Sequence, residues 1–473
     1  MSITYDIIIR GGTIVSGNGT LHGDVGIRDG QISGIGDTLL GSAAQQLDAS
    51  GCYVMPGVID SHTHPVYADD LGRMSLAGAA TGVTTVLAFI GAFPSWGFPK
   101  TTPTEVAQDY IQTWDSNTYC DFGVHVAFDA ADDPAAEVPQ LVQLGIPSFK
   151  FFMAYRARNM MVEDRHVIRG METIARHGGI AMVHAENGDG IEFLESKHWT
   201  DTDVDHGEFL RCHTPLFEAE ALLRAVALAN ATRCPLYLPH LAVAEGLDAV
   251  AIGRRSAPAP IWLETCPHYL ILTNAEVIHR GALSKIAPPI REHRDNEALW
   301  NAVASGLIQT IGTDHAGRTL EMKAQGTNIL QAPYGSEGIE HLLQLVYTEG
   351  VVNGRISMQR LVQVLCENPA DIFGLSSRKG RIAMGADADV LIFDPRPHSV
   401  CTAANHRGAS DYCLYEGHSV RGMVKTTIRA GQVLFNDGQF VAEPSGRFLR
   451  RAPFRGTATS RASEQLRAIP VVS

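Results

Sequence analysis

The hydrophobic positions of this chain change their period twice, which divides it into two β-rich ends and an alternating middle. Near the start, short apolar runs are separated by turn residues such as Gly11-Gly12, and the same texture returns in residues 389–438. Short β-rich runs with glycine-containing turns are typical of hairpins. We therefore predict one small β-sandwich domain assembled from residues 1–54 and 380–445.

Between these ends, apolar strand candidates alternate with helical patterns. The candidates are Val58–His64, Thr84–Phe89, Phe122–Phe128, Ser148–Met153, Ile180–Glu186, Pro235–Leu241, Ile261–Cys266 and Ile308–His315. This alternation predicts a parallel sheet, and eight such units match a (β/α)₈ TIM-like barrel, here over residues 55–379. An open doubly wound sheet is the alternative. It is disfavoured because no glycine-rich phosphate-binding loop follows any candidate strand.

Composition narrows the classes of protein to which the chain can belong. Its 473 residues are 45% hydrophobic and 19% charged, enough to bury a large core. The net charge of −13 disfavours nucleic acid and anionic membrane surfaces as partners. The first residues do not resemble a signal peptide, and no apolar run approaches the length of a membrane span, so we expect a cytoplasmic protein. The eight cysteines contain no CxxC pair, which predicts reduced, buried thiols and argues against a zinc knuckle.

Residues 446–473 form a C-terminal tail rich in arginine. The arginines are Arg447, Arg450, Arg451, Arg455, Arg461 and Arg467. Two interpretations stay open for this tail. It is either a solvated, flexible terminus, as chain ends often are, or an arm that contacts an acidic neighbouring subunit.

Candidate chemistry lies at the carboxyl ends of the predicted strands. In Asp60-Ser-His62-Thr-His64, the two histidines stand two residues apart on a strand and project to the same side, so both can reach one metal ion. Taken alone, such a short motif also arises by chance.

Lys150 lies within a strand of aromatic and aliphatic residues, Ser148 to Tyr155. Burial lowers the pKa of an amine and increases its neutral fraction, which can react with carbon dioxide to give a carbamate. A carbamate has two anionic oxygens and could bridge two cations. The alternative is a lysine whose ammonium reaches the surface or pairs with a carboxylate.

Three further residues end apolar strands: His184, His240 and Asp314. Each has a structural alternative, a hydrogen-bonded core histidine or a helix-capping aspartate. Together with the two histidines and Lys150, however, they form a ring around one barrel mouth, where barrel enzymes carry out their chemistry. Nitrogen and oxygen ligands without thiolates favour Zn²⁺, with Mn²⁺, Fe²⁺ and Co²⁺ as alternatives.

Several segments also resemble a known family. They are Pro56–His64, Ser148–Tyr155, Val183–Asn187, Ala287–Arg291 and Ile311–His315. The chain resembles the amidohydrolase superfamily and, within it, the dihydropyrimidinase and hydantoinase family of cyclic amidases. The resemblance covers nearly the whole length, including the split β domain.

This resemblance implies a binuclear metal site and a reaction. It places His62, His64 and Asp314 on one divalent ion, His184 and His240 on a second, and a carbamate on Lys150 between them. A hydroxide bridging the ions would open a ring amide of a dihydropyrimidine, a hydantoin or a related cyclic ureide or imide. Asp314 would transfer the proton, Tyr155 would stabilise the oxyanion, and Ala287, Tyr334 and Gly335 would contact the ring. The family also implies a homotetramer or homodimer.

The sequence departs from the family at three places. The loop over residues 65–70 is several residues shorter than the usual loop, Ala287 replaces a common serine, and Tyr334 replaces a common asparagine. An allantoinase-like reaction or another ring substrate therefore stays open. Deaminases mostly lack the bridging lysine, so Lys150 disfavours that class. A non-catalytic, dihydropyrimidinase-related scaffold is disfavoured because all the expected ligand positions are filled.

Overall fold

The computed structural model describes residues 4–255 and 259–454. Strands from the two ends form one nine-stranded sheet, and strands from the middle form a second sheet of eight. The strands are β1 Thr4–Ser16, β2 Gly19–Arg28, β3 Gln31–Gly36, β4 Ser42–Asp48, β5 Tyr53–Pro56, β6 Val58–Thr63, β7 Val83–Gly91, β8 Asp121–Ala127, β9 Ser148–Phe152, β10 Ile180–His184, β11 Leu236–Leu238, β12 Ile261–Thr265, β13 Thr310–Ile311, β14 Val390–Val400, β15 Ser419–Arg429, β16 Gln432–Asn436 and β17 Gln439–Phe440.

Helices occupy most connections between the strands of the middle sheet. The α-helices are α1 Leu71–Ala79, α2 Pro103–Trp114, α3 Pro134–Gln143, α4 Asp164–Arg176, α5 Gly188–Ser196, α6 Gly207–Cys212, α7 Pro215–Thr232, α8 Ala244–Arg254, α9 Pro267–Ile271, α10 Asn274–Arg280, α11 His293–Ser305, α12 Leu320–Lys323, α13 Leu342–Leu345, α14 Met358–Val362 and α15 Asn368–Ile372. Short 3₁₀ turns cover Pro94–Trp96, Arg156–Arg158, Gly281–Ser284 and Ala403–Asn405, and π-helical turns cover Val346–Val352 and Gln363–Glu367. Within the described residues, none of these helices is long and apolar enough to cross a bilayer.

The end strands form the predicted β domain. β1, β2 and β3 pair as antiparallel hairpins, as do β14 to β17, and β5 joins the two sets by pairing antiparallel with β14. Ile9, Val25, Val54 and Ile392 belong to its buried core. The prediction that both ends of the chain build one β unit is confirmed, because β5 pairs with β1 of the first set and with β14 of the second.

One predicted turn is wrong. Gly11-Gly12 does not end a strand but lies inside β1, where the register with β2 shifts between Ile9 and Gly12. Gly11 has a φ of +65°, and a Cβ atom at Gly12 would collide with the side chain of Val54. These glycines therefore form a β-bulge that lets the neighbouring strand approach, which is a common use of glycine within a strand.

The middle strands form the predicted barrel. β6 to β13 pair in parallel in the order of the sequence, and the ends of the sheet meet where the His64 amide donates to the carbonyl of His315 at 2.6 Å. All eight predicted strands are present. Seven are shorter at the carboxyl end than we predicted, and three of these end at least two residues early: β10 at His184, β11 at Leu238 and β13 at Ile311.

The tail begins against the barrel. The amide of Leu449 donates to the carbonyl of Phe122 at 2.7 Å, and the buried guanidinium of Arg451 donates to Ser148 Oγ at 2.8 Å. Both partners lie at the amino ends of barrel strands, so residues 446–454 cover the face opposite the barrel mouth. Arg455, Arg461 and Arg467 lie outside the described residues.

Candidate active site

The predicted site residues converge on one cavity at the carboxyl ends of the barrel strands. The cavity has a volume of about 70 Å³, and nine of the predicted residues line it: His64, Lys150, Tyr155, His184, His240, Ala287, Asp314, Tyr334 and Gly335. His62 is fully buried beside them. The structure thus brings together ten residues that the sequence spreads over more than half of the chain.

Two histidines and an aspartate form the first group of metal-ligand type. Nε2 of His62 and Nε2 of His64 each lie 3.0 Å from Asp314 Oδ1, and 3.3 Å from each other. Burial lowers the pKa of His64 to about 4, which leaves its ring neutral near pH 7. Burial alone would raise the pKa of Asp314, but the charge and hydrogen bonds of the two histidines hold it well below its usual value.

The second group is a pair of histidines. His184 Nδ1 lies 3.0 Å from His240 Nε2, and the opposite nitrogen of His184 lies 2.8 Å from Glu186 Oε2. Because a carboxylate only accepts hydrogen bonds, Nε2 of His184 carries the proton and Nδ1 presents its lone pair. Burial lowers the pKa of both histidines below the usual value, and that of His240 most strongly.

Lys150 has the buried position that the sequence predicts. It is 1% exposed, and its Nζ lies 4.3 Å from the centre of the Phe89 ring and 5.2 Å from that of Phe152. Burial lowers the pKa of Lys150 to about 8, although the charge of Asp314 partly opposes the shift. A measurable fraction of the amine is therefore neutral near physiological pH.

These groups fit divalent metal ions. Ring nitrogens of His184 and His240 face one another at 3.0 Å, and those of His62 and His64 at 3.3 Å, and such spacings need either a shared proton or a cation between the rings. The donors are imidazole nitrogens and a carboxylate oxygen, which suit zinc and its first-row neighbours. Among the described residues, His62, His64 and Asp314 form one of two groups whose ligand atoms all lie within 4.8 Å of one another.

Three site positions depart from β geometry. Tyr155, His240 and Asp314 have φ values of +71°, +45° and +50°. Left-handed backbone is uncommon for residues other than glycine, and it turns each side chain out of the alternation of its strand. Tyr155, His240 and Asp314 accordingly follow the ends of β9, β11 and β13, whereas His62, Lys150 and His184 belong to their strands.

Sequence reasoning missed the residues that hold the histidines. Glu264, fully buried at the end of β12, accepts from His62 Nδ1 at 2.6 Å and from the Tyr237 hydroxyl at 2.6 Å. On the other side, Glu186 accepts from His184 and from His213 Nδ1 at 2.9 Å. Such carboxylates fix the tautomer and orientation of ligand histidines. Glu264 could have been identified from the sequence, because it is a charged residue within the mostly apolar predicted strand Ile261–Cys266.

Aromatic and cationic side chains form one wall of the cavity. The Tyr155 ring lies 4.7 Å from the His184 ring and 5.6 Å from that of Tyr334, while the Arg158 guanidinium lies 5.0 Å from the Tyr334 ring. Burial raises the pKa of Tyr155 well above its usual value, so its hydroxyl remains a donor. A neighbouring cavity of about 450 Å³ shares Tyr155, Arg158 and Tyr334 and adds apolar residues such as Trp199.

The short loop after His64 borders the opposite wall. Tyr67 and Trp96 line both the site cavity and an outer cavity of about 520 Å³, which also contains Pro65 and Asp69. Asp69 is buried, accepts from His315 Nε2 at 3.1 Å and thereby ties the loop to the end of β13. The shortened loop is therefore held in place, and it leaves open space beside the site.

The whole chain is similar to characterised cyclic amidases. The amidohydrolase family model matches residues 161–434, more than half of the chain. The D-hydantoinase of Ralstonia pickettii is 36% identical over 95% of this chain and 100% of that protein, and the D-phenylhydantoinase of Escherichia coli O7:K1 is 31% identical over 95% and 98%.

Solved structures agree with the sequence comparisons. A D-hydantoinase structure superposes with a TM-score of 0.90 at 35% identity, covering 95% of this chain and 100% of that one. The dihydropyrimidinase of Brevibacillus agri NCHU1002 superposes with a TM-score of 0.88 at 31% identity, covering 95% and 99%. Sequence, fold and site geometry lead to the same conclusion: this chain belongs to the amidohydrolase superfamily and, within it, to the hydantoinase and dihydropyrimidinase family, for which a binuclear divalent metal site is expected.

Proposed function

We propose that this protein hydrolyses a ring amide bond of a hydantoin, a dihydropyrimidine or a related cyclic ureide or imide. The observation that carries the proposal is the convergence of two metal-ligand groups, a buried lysine and Tyr155 on one small cavity at the barrel mouth. A structural scaffold would not need four imidazoles that face one another in pairs beside a cavity. The family to which the chain belongs supports the same reaction class.

The metal site of this proposal uses the side chains described above. His62, His64 and Asp314 would hold one divalent ion, Zn²⁺ in the first instance, and His184 and His240 would hold the second. Lys150 stands between the two groups and, as a carbamate formed with carbon dioxide, would supply the shared anionic ligand. When bound, two divalent cations supply the Lewis acidity that makes hydroxide available near neutral pH and polarises a carbonyl oxygen.

Asp314 would handle the proton. Its carboxylate lines the cavity and stays ionised, because the two neighbouring histidines hold its pKa well below the usual value. In the proposed reaction this ionised carboxylate takes up the proton of the attacking water and delivers it to the ring nitrogen as the carbon–nitrogen bond breaks. A hydantoin would leave as an N-carbamoyl amino acid.

Tyr155 would stabilise the negative charge that develops on the carbonyl oxygen. Its phenol is protonated at neutral pH, and the left-handed backbone at this residue aims the ring across His184. A donor held in position before the reaction costs no reorganisation in the transition state. Main-chain groups at Ala287 and Gly335 would contact the ring of the substrate.

We infer that the exocyclic group of the substrate enters the cavity of about 450 Å³ beside Tyr155 and Tyr334. Trp199, Ile191 and Leu330 give this cavity an apolar wall, which fits an apolar or aromatic substituent. Arg158 lies on the rim of the same space, and it supports the second candidate, a polar ureido substituent as in allantoin.

The test combines metal analysis of the purified protein with a turnover screen. Dihydrouracil, hydantoins with methyl, benzyl and phenyl substituents, cyclic imides and allantoin would be assayed with the wild type and with Asp314→Asn as the inactive control. About two catalytic metals per chain and ring opening of a substituted hydantoin are the expected results. Turnover of allantoin alone would select the second candidate. A zinc- or manganese-loaded protein, supplemented with bicarbonate, that opens none of these rings would refute the proposal.

We also propose a cytoplasmic location and a homotetramer or homodimer. The eight cysteines are all free and buried, which suits a reducing compartment. Exposed apolar side chains such as Leu216 and Phe193 offer surface for self-association. Light scattering of the purified protein would determine the oligomeric state, and a monomer at micromolar concentration would contradict the assembly.

A further inference from the structure

A second cluster of metal-ligand type lies outside the catalytic cavity. Glu337, His341, His406 and Cys413 each present one ligand atom, and these atoms all lie within 4.8 Å of one another. Glu337, His341 and Cys413 are 5%, 7% and 1% exposed, and His406 is partly exposed. None of the four is among the residues assigned to the catalytic metals.

The ring nitrogens in this cluster are oriented as metal ligands. His406 Nδ1 lies 3.1 Å from the carbonyl oxygen of Ser410, so Nδ1 carries the proton and Nε2 presents its lone pair. Nε2 of His406 faces Nε2 of His341 at 3.0 Å. Cys413 Sγ lies 3.4 Å from that His341 nitrogen. A histidine whose other nitrogen donates to a backbone carbonyl is the usual arrangement of a zinc ligand.

The spacing also fits one tetrahedral ion. With zinc bonds of about 2.0–2.3 Å, tetrahedral ligand atoms stand about 3.3–3.6 Å apart, a few tenths of an ångström more than here. Glu337 supplies the fourth donor, and its carboxylate is already held in place. Its Oε1 accepts from the amide of Leu414 at 2.7 Å and its Oε2 from Ser336 Oγ at 2.9 Å.

We propose that Glu337, His341, His406 and Cys413 bind one structural Zn²⁺ ion per chain. Four protein ligands close the coordination sphere, which is the property of a structural zinc site, whereas a catalytic site keeps a position open. The thiolate favours zinc over magnesium or calcium. On binding, the thiol and its proton separate: the sulfur bonds to zinc, the proton passes to solvent, and no electrons change hands.

This ion would join two distant segments. Glu337 and His341 follow the last barrel strand, close to Tyr334 and Gly335 of the catalytic cavity, whereas His406 and Cys413 belong to the connection between β14 and β15 of the β domain. Hydrogen bonds already hold that connection against the barrel, for example from the Ala409 amide to Asp69 at 2.7 Å. By coordinating residues from both segments, a zinc ion would cross-link the β domain to one wall of the active site.

The first test is independent of the catalytic ions. In the full chain carrying His62→Ala and His240→Ala, the catalytic groups are damaged, and we expect about one zinc per chain to remain. Adding Cys413→Ser or His406→Ala should remove that zinc, whereas Cys401→Ser, a buried thiol of the same connection, should leave it in place. If the variant with His62→Ala and His240→Ala alone is folded by circular dichroism but contains no zinc, the proposal is overturned.

The second test uses the wild type, so that it does not depend on how a variant folds. Cobalt substitution should give a sulfur-to-metal charge-transfer band, and zinc X-ray absorption should show sulfur at about 2.3 Å. Because no thiolate belongs to the proposed catalytic set, these signals report on the second site alone, even in a protein without hydantoinase activity. A shell of nitrogen and oxygen only in fully loaded protein would contradict the site.

Discussion

Individual residues at the barrel mouth adopt backbone conformations that the rest of their strands do not. Tyr155, His240 and Asp314 are left-handed, and residues other than glycine pay of order 1 kcal/mol or more for that conformation. Hydrogen bonds help to maintain it at two of these residues. The His240 amide donates to the Glu264 carboxylate, and the carbonyl of His315, next to Asp314, accepts from the His64 amide. The same local departure from β geometry is what places the ligand atoms on a common cavity.

Replacing Lys150 tests the shared ligand. We expect Lys150→Ala to lose most of the catalytic metal and activity, since the two ligand groups would then lack a common anion. Short carboxylic acids such as acetate or propionate should restore part of both, because they fit the vacated volume. Metal content and ring-opening rate are the measurements. Lys100→Ala, an exposed lysine paired with Asp129, should change neither; full metal loading of Lys150→Ala would exclude the bridge.

Replacing Tyr155 tests the oxyanion contact. Tyr155→Phe removes one hydroxyl and should lower kcat about 100- to 1,000-fold with little change in KM or metal content, because the lost interaction forms in the transition state. Steady-state kinetics on the best ring substrate measure this. Tyr119→Phe, at the amino end of β8 and packed against Phe440, should retain the wild-type rate. A Tyr155→Phe enzyme within a factor of three of wild type would remove the role.

At the scale of elements, a buried ion-pair network connects the barrel to the β domain. Lys379 Nζ lies 2.6 Å from Asp121 at the start of β8 and 2.8 Å from Asp389, which precedes β14. Arg429, at the end of β15, reaches the other oxygen of Asp121 at 2.8 Å. Burial alone would lower the pKa of Lys379, but the surrounding aspartates raise it above its usual value. The ammonium therefore stays charged and holds strands of both sheets together.

This network should be essential to stability. We expect Lys379→Met to reduce the free energy of unfolding by about 3–5 kcal/mol, because the buried carboxylate of Asp389 would lose its cation and Asp121 would keep only Arg429. Denaturant unfolding followed by circular dichroism measures the loss. The control is Arg381→Met, which breaks the more exposed pair with Asp371 and should cost less than about 1 kcal/mol. Equal effects of the two substitutions would contradict the assignment.

At the scale of the whole molecule, the two ends of the barrel have different roles. The carboxyl ends of the strands carry the candidate metal ligands and the cavities beside them, whereas residues 446–454 cover the amino ends. Leu449 and Arg451 are 2% and 3% exposed there, and the amide of Phe454 donates to the carbonyl of Gly178 at 2.6 Å. The last described segment thus completes the protection of the barrel interior from water.

Truncation tests this role. A chain ending at residue 445 loses the burial of Leu449, worth about 1.5–3 kcal/mol, together with the partial burial of Phe448 and the contacts of Arg451. We expect a lower midpoint of thermal unfolding by several degrees, measured by calorimetry. A chain ending at residue 454 keeps these contacts and serves as the control. An unchanged midpoint after removal of residues 446–473 would show that the segment does not stabilise the barrel.

The sequence alone determined the alternation of strands and helices, the assembly of a β domain from both ends, and the ring of residues that meet at the barrel mouth. These features follow from local periodicity, because a strand of parallel sheet buried on both faces reads as an apolar run, and a polar residue at its carboxyl end must face the mouth. The family resemblance added the proposed role of Tyr155 and the proposed ring contacts, which no period reveals.

Only the tertiary structure decided which distant groups touch. Three contacts join residues that are far apart in the chain and obey no shared spacing. They are the hydrogen bond of Glu264 to His62, the packing of Arg451 against the amino ends of the barrel strands, and the cluster around Cys413. The bulge at Gly11-Gly12 likewise depends on the approach of Val54 from another strand. A sequence pattern indicates only which face of a strand or helix is buried. These contacts, in contrast, form when the barrel closes and the chain returns to the β domain.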